Sequence, residues 1–89
     1  MAFQVQIGDQ LFLEEGGEEI GAVRAVAADH LVVYIEASGD FVVQGDWVRA
    51  AHDGKVVLDE SKIKDPALVM AAHRAHDDEV DPSREVTNV

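Results

Sequence analysis

The chain of 89 residues contains no cysteine, which excludes disulfide bonds and thiolate metal sites. It has only 7 basic side chains against 18 acidic ones, so its formal charge is −11 at pH 7. So few cations cannot form the large basic face with which proteins bind nucleic acids or lie on anionic membranes. We therefore expect no nucleic-acid partner and no direct binding to anionic membranes.

Long apolar runs are also missing. No stretch approaches the roughly 18 residues that cross a bilayer, and residues 1–10 lack the basic start and apolar run of a signal peptide. Aromatic residues make up only 6% of the chain, whereas hydrophobic residues make up 47%. That balance favours one folded domain with a core of Val, Ala, Leu and Ile, and we expect a cytoplasmic location.

Residues 1–60 read as a β-domain. Phe3, Val5 and Ile7 alternate with glutamines, as in a half-buried strand, and further Val-rich runs are separated by Gly and Asp. Residues 31–35 are apolar throughout, which predicts a strand buried on both faces. Asp53-Gly54 predicts a hairpin turn of type I′. The pattern indicates about six short strands; propensity alone does not decide between helix and strand for residues 20–28, and the flanking turn signals slightly favour a hairpin strand.

A different pattern begins at residue 61. Asp65 followed by Pro66 predicts the start of a helix over residues 66–78, within a C-terminal helical segment of residues 61–80. Leu68, Ala72 and Ala75 share one stripe of this helix. Such a short helix is not stable alone, so it must pack on the β-domain or on a second copy of the chain. Residues 81–89 are expected to form a flexible tail.

Residues 8–58 resemble the PRC-barrel family. Residues 8–12, Gly-Asp-Gln-Leu-Phe, are similar to its opening strand, and residues 17–23 are similar to its Gly-x-x-Ile-Gly-x-Val turn and second strand. Residues 46–48 and 53–58 are similar to its later loop and closing hairpin. One departure is Gln44-Gly45, where relatives often have Ile-Pro.

This resemblance implies an all-β fold: a small, strongly bent PRC-barrel-like β-barrel with one C-terminal helix. It implies that residues 20–26 form a strand. Known members include the cytoplasmic part of a photosynthetic reaction-centre subunit and a domain of a ribosomal-RNA maturation factor. In both, the barrel resembles an adaptor that contacts other macromolecules. No catalytic residues define the family, so the resemblance assigns none here.

Three residues near the end of the predicted helix are candidate metal ligands. His73 and His76 share a helix face, and Asp77 lies four residues from His73. The alternative is a solvated helix end in which histidines complement the helix dipole, and we favour it. We predict no catalytic residues and no cofactor, because no nucleophile has an activating context and no phosphate-binding loop is present.

The candidate interaction residues are apolar: Trp47 and, on the helix, Leu68, Val69 and Ala72. For Trp47, as for Tyr34 and Phe41, a place in the core is the first expectation and a contact role the second.

We expect a non-catalytic interaction or scaffold module that binds a protein partner and forms a homodimer. The first alternative is a metal- or pH-responsive protein that uses its histidines, including His73 and His76. A second alternative is that the acidity reflects adaptation to high salt.

Overall fold

Six strands and one α-helix follow one another along the residues that the structure describes. The computed structural model describes residues 4–78, of which 76–78 are described by their helical backbone alone. The strands are β1 (Gln10–Phe12), β2 (Glu19–Val26), β3 (His30–Ile35), β4 (Gly39–Gln44), β5 (Val48–His52) and β6 (Lys55–Leu58). Two 3-10 turns, η1 (Gly45–Trp47) and η2 (Glu60–Lys62), precede β5 and the helix α1 (Pro66–Asp78).

The strands form one sheet in the order β4-β3-β2-β1-β6-β5. All neighbours are antiparallel except β1 and β6, which pair in parallel with Leu11 opposite Val56. Strands β4 and β5 lie at opposite edges although they follow each other in the chain, joined by the three residues of η1. The sheet is therefore curled into a half-barrel.

The core occupies the inner side of this curl. In the described part of the chain no polar or charged residue belongs to the buried class, so the core consists of apolar residues. They are contributed by strands and helix alike: Leu11, Ile20, Val23, Leu31, Val33, Ile35, Val43, Val48, Val56, Leu58, Leu68, Ala71, Ala72 and Ala75.

The helix α1 packs against β2 and β3. Its start agrees with the prediction, because Asp65 Oδ1 accepts from the backbone N–H groups of Ala67 and Leu68, at 3.0 and 3.4 Å. These bonds satisfy donors that the first helical turn leaves free. The predicted helix over residues 66–78 is confirmed, and residues 20–26 form a strand as the family resemblance implied. The predicted tail, residues 81–89, lies outside the described residues.

One strand prediction is wrong. Residues 4–7 are not in a strand, and the Ile7 side chain is 71% exposed. The backbone turns here instead: Asp9 N–H donates to Gln6 O, and Gln6 N–H donates to the Asp9 carboxylate. Gly8 lies inside this turn and has a positive φ of 97°, which glycine adopts without strain. Alternation alone could not reveal that a side-chain-stabilised turn interrupts the segment.

The packing of α1 on the sheet can be tested by truncating Leu68, which has no exposed surface. We expect Leu68→Ala to lower the free energy of unfolding by about 2–5 kcal/mol, the range for a buried leucine. Met70 lies on the same helix but is 63% exposed, so Met70→Ala is the matched control. Its effect is expected within about 0.5 kcal/mol. Urea unfolding measures both, and equal losses would contradict the packing described here.

Candidate interaction surface

The outer side of the sheet carries an apolar row that the core does not use. In β3 alternate residues 31, 33 and 35 are buried, which turns Val32 and Tyr34 to the opposite side. Val32 lies between Ala25 of β2 and Val42 of β4 in the register of the sheet. Val42 is 47% exposed and Ala25 is exposed, so this row meets solvent. We call Ala25, Val32, Tyr34 and Val42 the valine face.

Polar groups cover one end of the valine face. The Arg24 guanidinium lies 5.6 Å from the centre of the Tyr34 ring, within range of a cation–π contact. Its Nε lies 3.5 Å from Asp40 Oδ1, and Asp40 is the residue opposite Tyr34 in β4. Both charged side chains are at least half exposed, so this pair organises the surface and adds little stability.

The valine face ends at an unpaired strand edge. Gly45 N–H donates to Asp29 O, and hydrogen bonds alternate along an antiparallel pair. In β4 the odd-numbered residues therefore bond to β3, whereas Asp40, Val42 and Gln44 direct their backbone groups to the other side. No described strand pairs with that side, since β4 is the last strand of the sheet. Its edge presents free donors and acceptors.

A shallow groove of mixed polarity lies between the β3–β4 hairpin and α1. It has a volume of about 320 Å³ and is lined by Ala37, Ser38, Phe41, Ala67, Met70, Ala71 and Arg74. The Ser38 Oγ atom is buried and has no hydrogen-bond partner among the described residues. Phe41 is half-buried and packs against the core, as expected from the sequence, while Met70 leaves most of its surface exposed. The groove adds apolar surface beside β4.

A second concavity, of about 540 Å³, lies between the N-terminal turn and the β5–β6 hairpin. Polar groups line it, among them Gln6, Asp9, His52 and Asp53. Among the described residues no group of three or more His, Asp or Glu side chains is arranged to hold a metal ion. This polar cleft therefore offers hydrogen bonds and negative charge.

Each of the three histidines whose side chains are described lies beside a carboxylate. His30 Nδ1 donates to Asp29 Oδ1 and His73 Nε2 donates to Glu60 Oε2, both at 2.7 Å. His52 lies 3.5 Å from both Glu15 and Asp53. The hydrogen bond from His30, followed by the charge of its ring, lowers the pKa of the Asp29 carboxyl below its ordinary value.

The candidate residues from the sequence fall into two groups. Trp47, 9% exposed, and Leu68 and Ala72, which have no exposed surface, lie in the core, and Val69 is half-buried. The side chains of Trp47, Leu68 and Ala72 are thus covered within a single chain, whereas Val69 keeps part of its surface exposed. His73 contacts Glu60 of η2, whereas the side chains of His76 and Asp77 lie outside the described residues, so the predicted set of three metal ligands stays a prediction.

The valine face itself was missed at the sequence level, although a signal for it exists. Residues 31–35 were expected to be buried on both sides, and Tyr34 was expected in the core. The structure corrects this, because Tyr34 is 37% exposed on the outer side of β3. A strand that is buried on one face needs apolar residues only at alternate positions. Apolar residues at the positions between them therefore indicate an apolar surface on the outer face.

Comparison with protein-family models, with curated proteins and with solved structures finds no match to this chain. Within residues 4–78, no helix is both long enough and apolar enough to cross a membrane.

The pKa of Asp29 provides a test of the histidine–carboxylate geometry. We expect His30→Gln to raise the pKa of Asp29 towards its ordinary value, since the charged donor is lost. The folded pKa is below the unfolded one, so this contact adds stability above the ordinary pKa of Asp and loses it as the pH falls through the folded value. Carboxyl NMR titration measures the change, and an unmoved Asp29 would contradict it.

Proposed function

We propose that this chain is a non-catalytic protein-interaction or scaffold module of the PRC-barrel type. Its curled six-stranded sheet and single C-terminal helix are compatible with the small bent barrel that the motifs of residues 8–58 resemble. The proposal assigns no catalytic residues and no cofactor. The chain acts by presenting a rigid surface to a protein partner.

The observation that carries the proposal is the valine face. Val32 and Val42 lie side by side on the outer surface, and the Tyr34 ring extends the patch. This apolar patch has a charged rim formed by Arg24 and Asp40. Apolar surface rimmed by polar groups marks protein-contact sites more often than chance exposure does.

The charge of the chain defines the chemistry of the partner. A net charge of −11 favours association with a surface that carries basic groups. Asp40 is paired with Arg24 at the rim of the valine face, and the exposed Glu36, two residues beyond Tyr34, adds a negative charge. We propose as partner a protein with an apolar contact patch surrounded by lysine or arginine.

This function is tested by capture from the native host with two matched variants at one position. Val32→Thr keeps the β-branched shape, whereas Val32→Lys places a cation in the centre of the valine face. We expect the wild type and Val32→Thr to retain the same bound protein and Val32→Lys to lose it. The reason is that an ammonium group there is desolvated and repels the basic rim of the partner.

Identification of the captured protein by mass spectrometry, followed by reconstitution from purified components, provides the readout. Circular dichroism must first show that both variants are folded. If Val32→Lys binds the purified partner as tightly as the wild type does, the valine face is not the contact surface.

A second candidate function is a pH response, which the histidine contacts favour. His30, His52 and His73 each lie next to a carboxylate, and histidine is the side chain that changes charge between pH 5 and 8. The His73–Glu60 contact also links α1 to η2, so its charge state can affect how the helix is held.

The pH response is tested with a variant in which these three histidines are replaced by glutamine. If these contacts form a switch, the unfolding temperature of the wild type depends more steeply on pH between about pH 5 and 8 than that of the variant, in which glutamine does not titrate. Differential scanning calorimetry at matched ionic strength measures both profiles. Parallel profiles would exclude a role for these contacts as a switch.

A further inference from the structure

We propose that a second copy of the chain docks on the open edge of β4, in an antiparallel strand pair with Val42 on the twofold axis. This inference goes beyond binding of a partner protein at the valine face, because it assigns the strand edge to self-association. The two sheets would then form one continuous sheet across the dimer.

The open edge of β4 presents backbone groups that can pair with another strand. Asp40, Val42 and Gln44 direct their N–H and C=O groups away from β3, and no described residue pairs with them. In a twofold antiparallel pair centred on Val42, each Val42 exchanges both hydrogen bonds with its copy. In the same register Asp40 lies opposite Gln44 of the second copy. All three edge residues therefore gain partners at once.

The side chains select this register among the alternatives. A pair centred on Val42 places the Asp40 carboxylate beside the Gln44 amide of the second copy, which can donate to it. A centre on Phe41 or on Val43 instead places a valine opposite Asp40 or Gln44. A centre on Asp40 would bring the two carboxylates face to face. Only the Val42 centre matches polar with polar and apolar with apolar.

Both faces of the strand agree with this pairing. On the outer side the row of Ala25, Val32 and Val42 continues into the same row of the second copy, so the exposed Val42 packs against its equivalent. On the inner side the half-buried Phe41 lies opposite Val43 of the second copy, next to the groove that Met70 lines. Apolar surface left open by one chain is thus covered by another.

The expected strength follows from size and charge. One strand pair is small beside the roughly 1,200–2,000 Å² of stable interfaces, which favours a reversible dimer. Two chains of charge −11 repel each other, so salt is expected to strengthen the dimer. Between about 0.01 M and 1 M salt the screening length falls from about 30 Å to about 3 Å.

Sedimentation velocity over a range of concentrations tests the proposal with two variants of Val42. Val42→Pro removes an N–H that does not bond to β3, a position at which an edge strand tolerates proline. Val42→Thr is the matched control, since it keeps the N–H and the β-branched shape. We expect concentration-dependent dimers for the wild type and Val42→Thr, and a monomer for Val42→Pro.

A charge exchange tests the register and does not depend on proline. Gln44→Asp places a second carboxylate opposite Asp40 of the other chain, once on each side of the twofold axis. We expect this repulsion to raise the dissociation constant roughly tenfold. Adding Asp40→Lys to that variant creates two opposite-charge pairs, and we expect the dimer to recover. If neither variant changes the dissociation constant, or if the double variant dissociates as readily as Gln44→Asp alone, the proposed pairing is wrong.

A wild type that sediments as a monomer at every concentration and salt level also overturns the proposal. That result leaves capture of a partner through Val32 unaffected, because capture concerns the outer face and uses another protein. Conversely, a dimer that Val42→Pro abolishes supports this inference even where no partner is captured. The two proposals therefore fail separately.

Discussion

The three residues of η1 impose the shape of this protein. They connect β4 to β5, which lie at opposite edges of a six-stranded sheet. In a flat sheet, five gaps of about 4.8 Å would separate these edges by about 24 Å. The four steps from Gln44 to Val48 span at most about 14 Å. The sheet must therefore curl until its edges approach, and the buried Trp47 of η1 packs into the core at that junction.

Curling makes the two faces of the sheet unequal. The inner face encloses its side chains, and α1 covers part of what remains through Leu68, Ala72 and Ala75. The outer face has no such cover among the described residues, although Val32, Tyr34 and Val42 are apolar or aromatic. Gly21 shows how closely the elements approach, because a Cβ there would lie 1.8 Å from the backbone oxygen of Tyr34. Only glycine therefore fits at position 21 beside β3.

Much of the local structure follows from short-range chemistry, which is why the sequence predicts it. Asp53 and Gly54 both adopt the positive φ that a type I′ turn requires, at 54° and 75°, and the predicted hairpin is confirmed. Asp65 caps α1 as expected. Each of these features depends on residues close together in the chain, so the local sequence is enough to predict it.

The candidate surface could not be predicted in the same way, because it depends on which strands become neighbours. Periodicity groups Val32 with Tyr34 and Val42 with Asp40, but it does not say whether another layer covers that side. Strand β6 pairs with β1 across a long loop of chain, and β4 has β3 as its one neighbour among the described strands. The open edge is thus a product of long-range topology. For the valine face the local signal is the apolar run of residues 31–35, and it can be interpreted once the strand order is known.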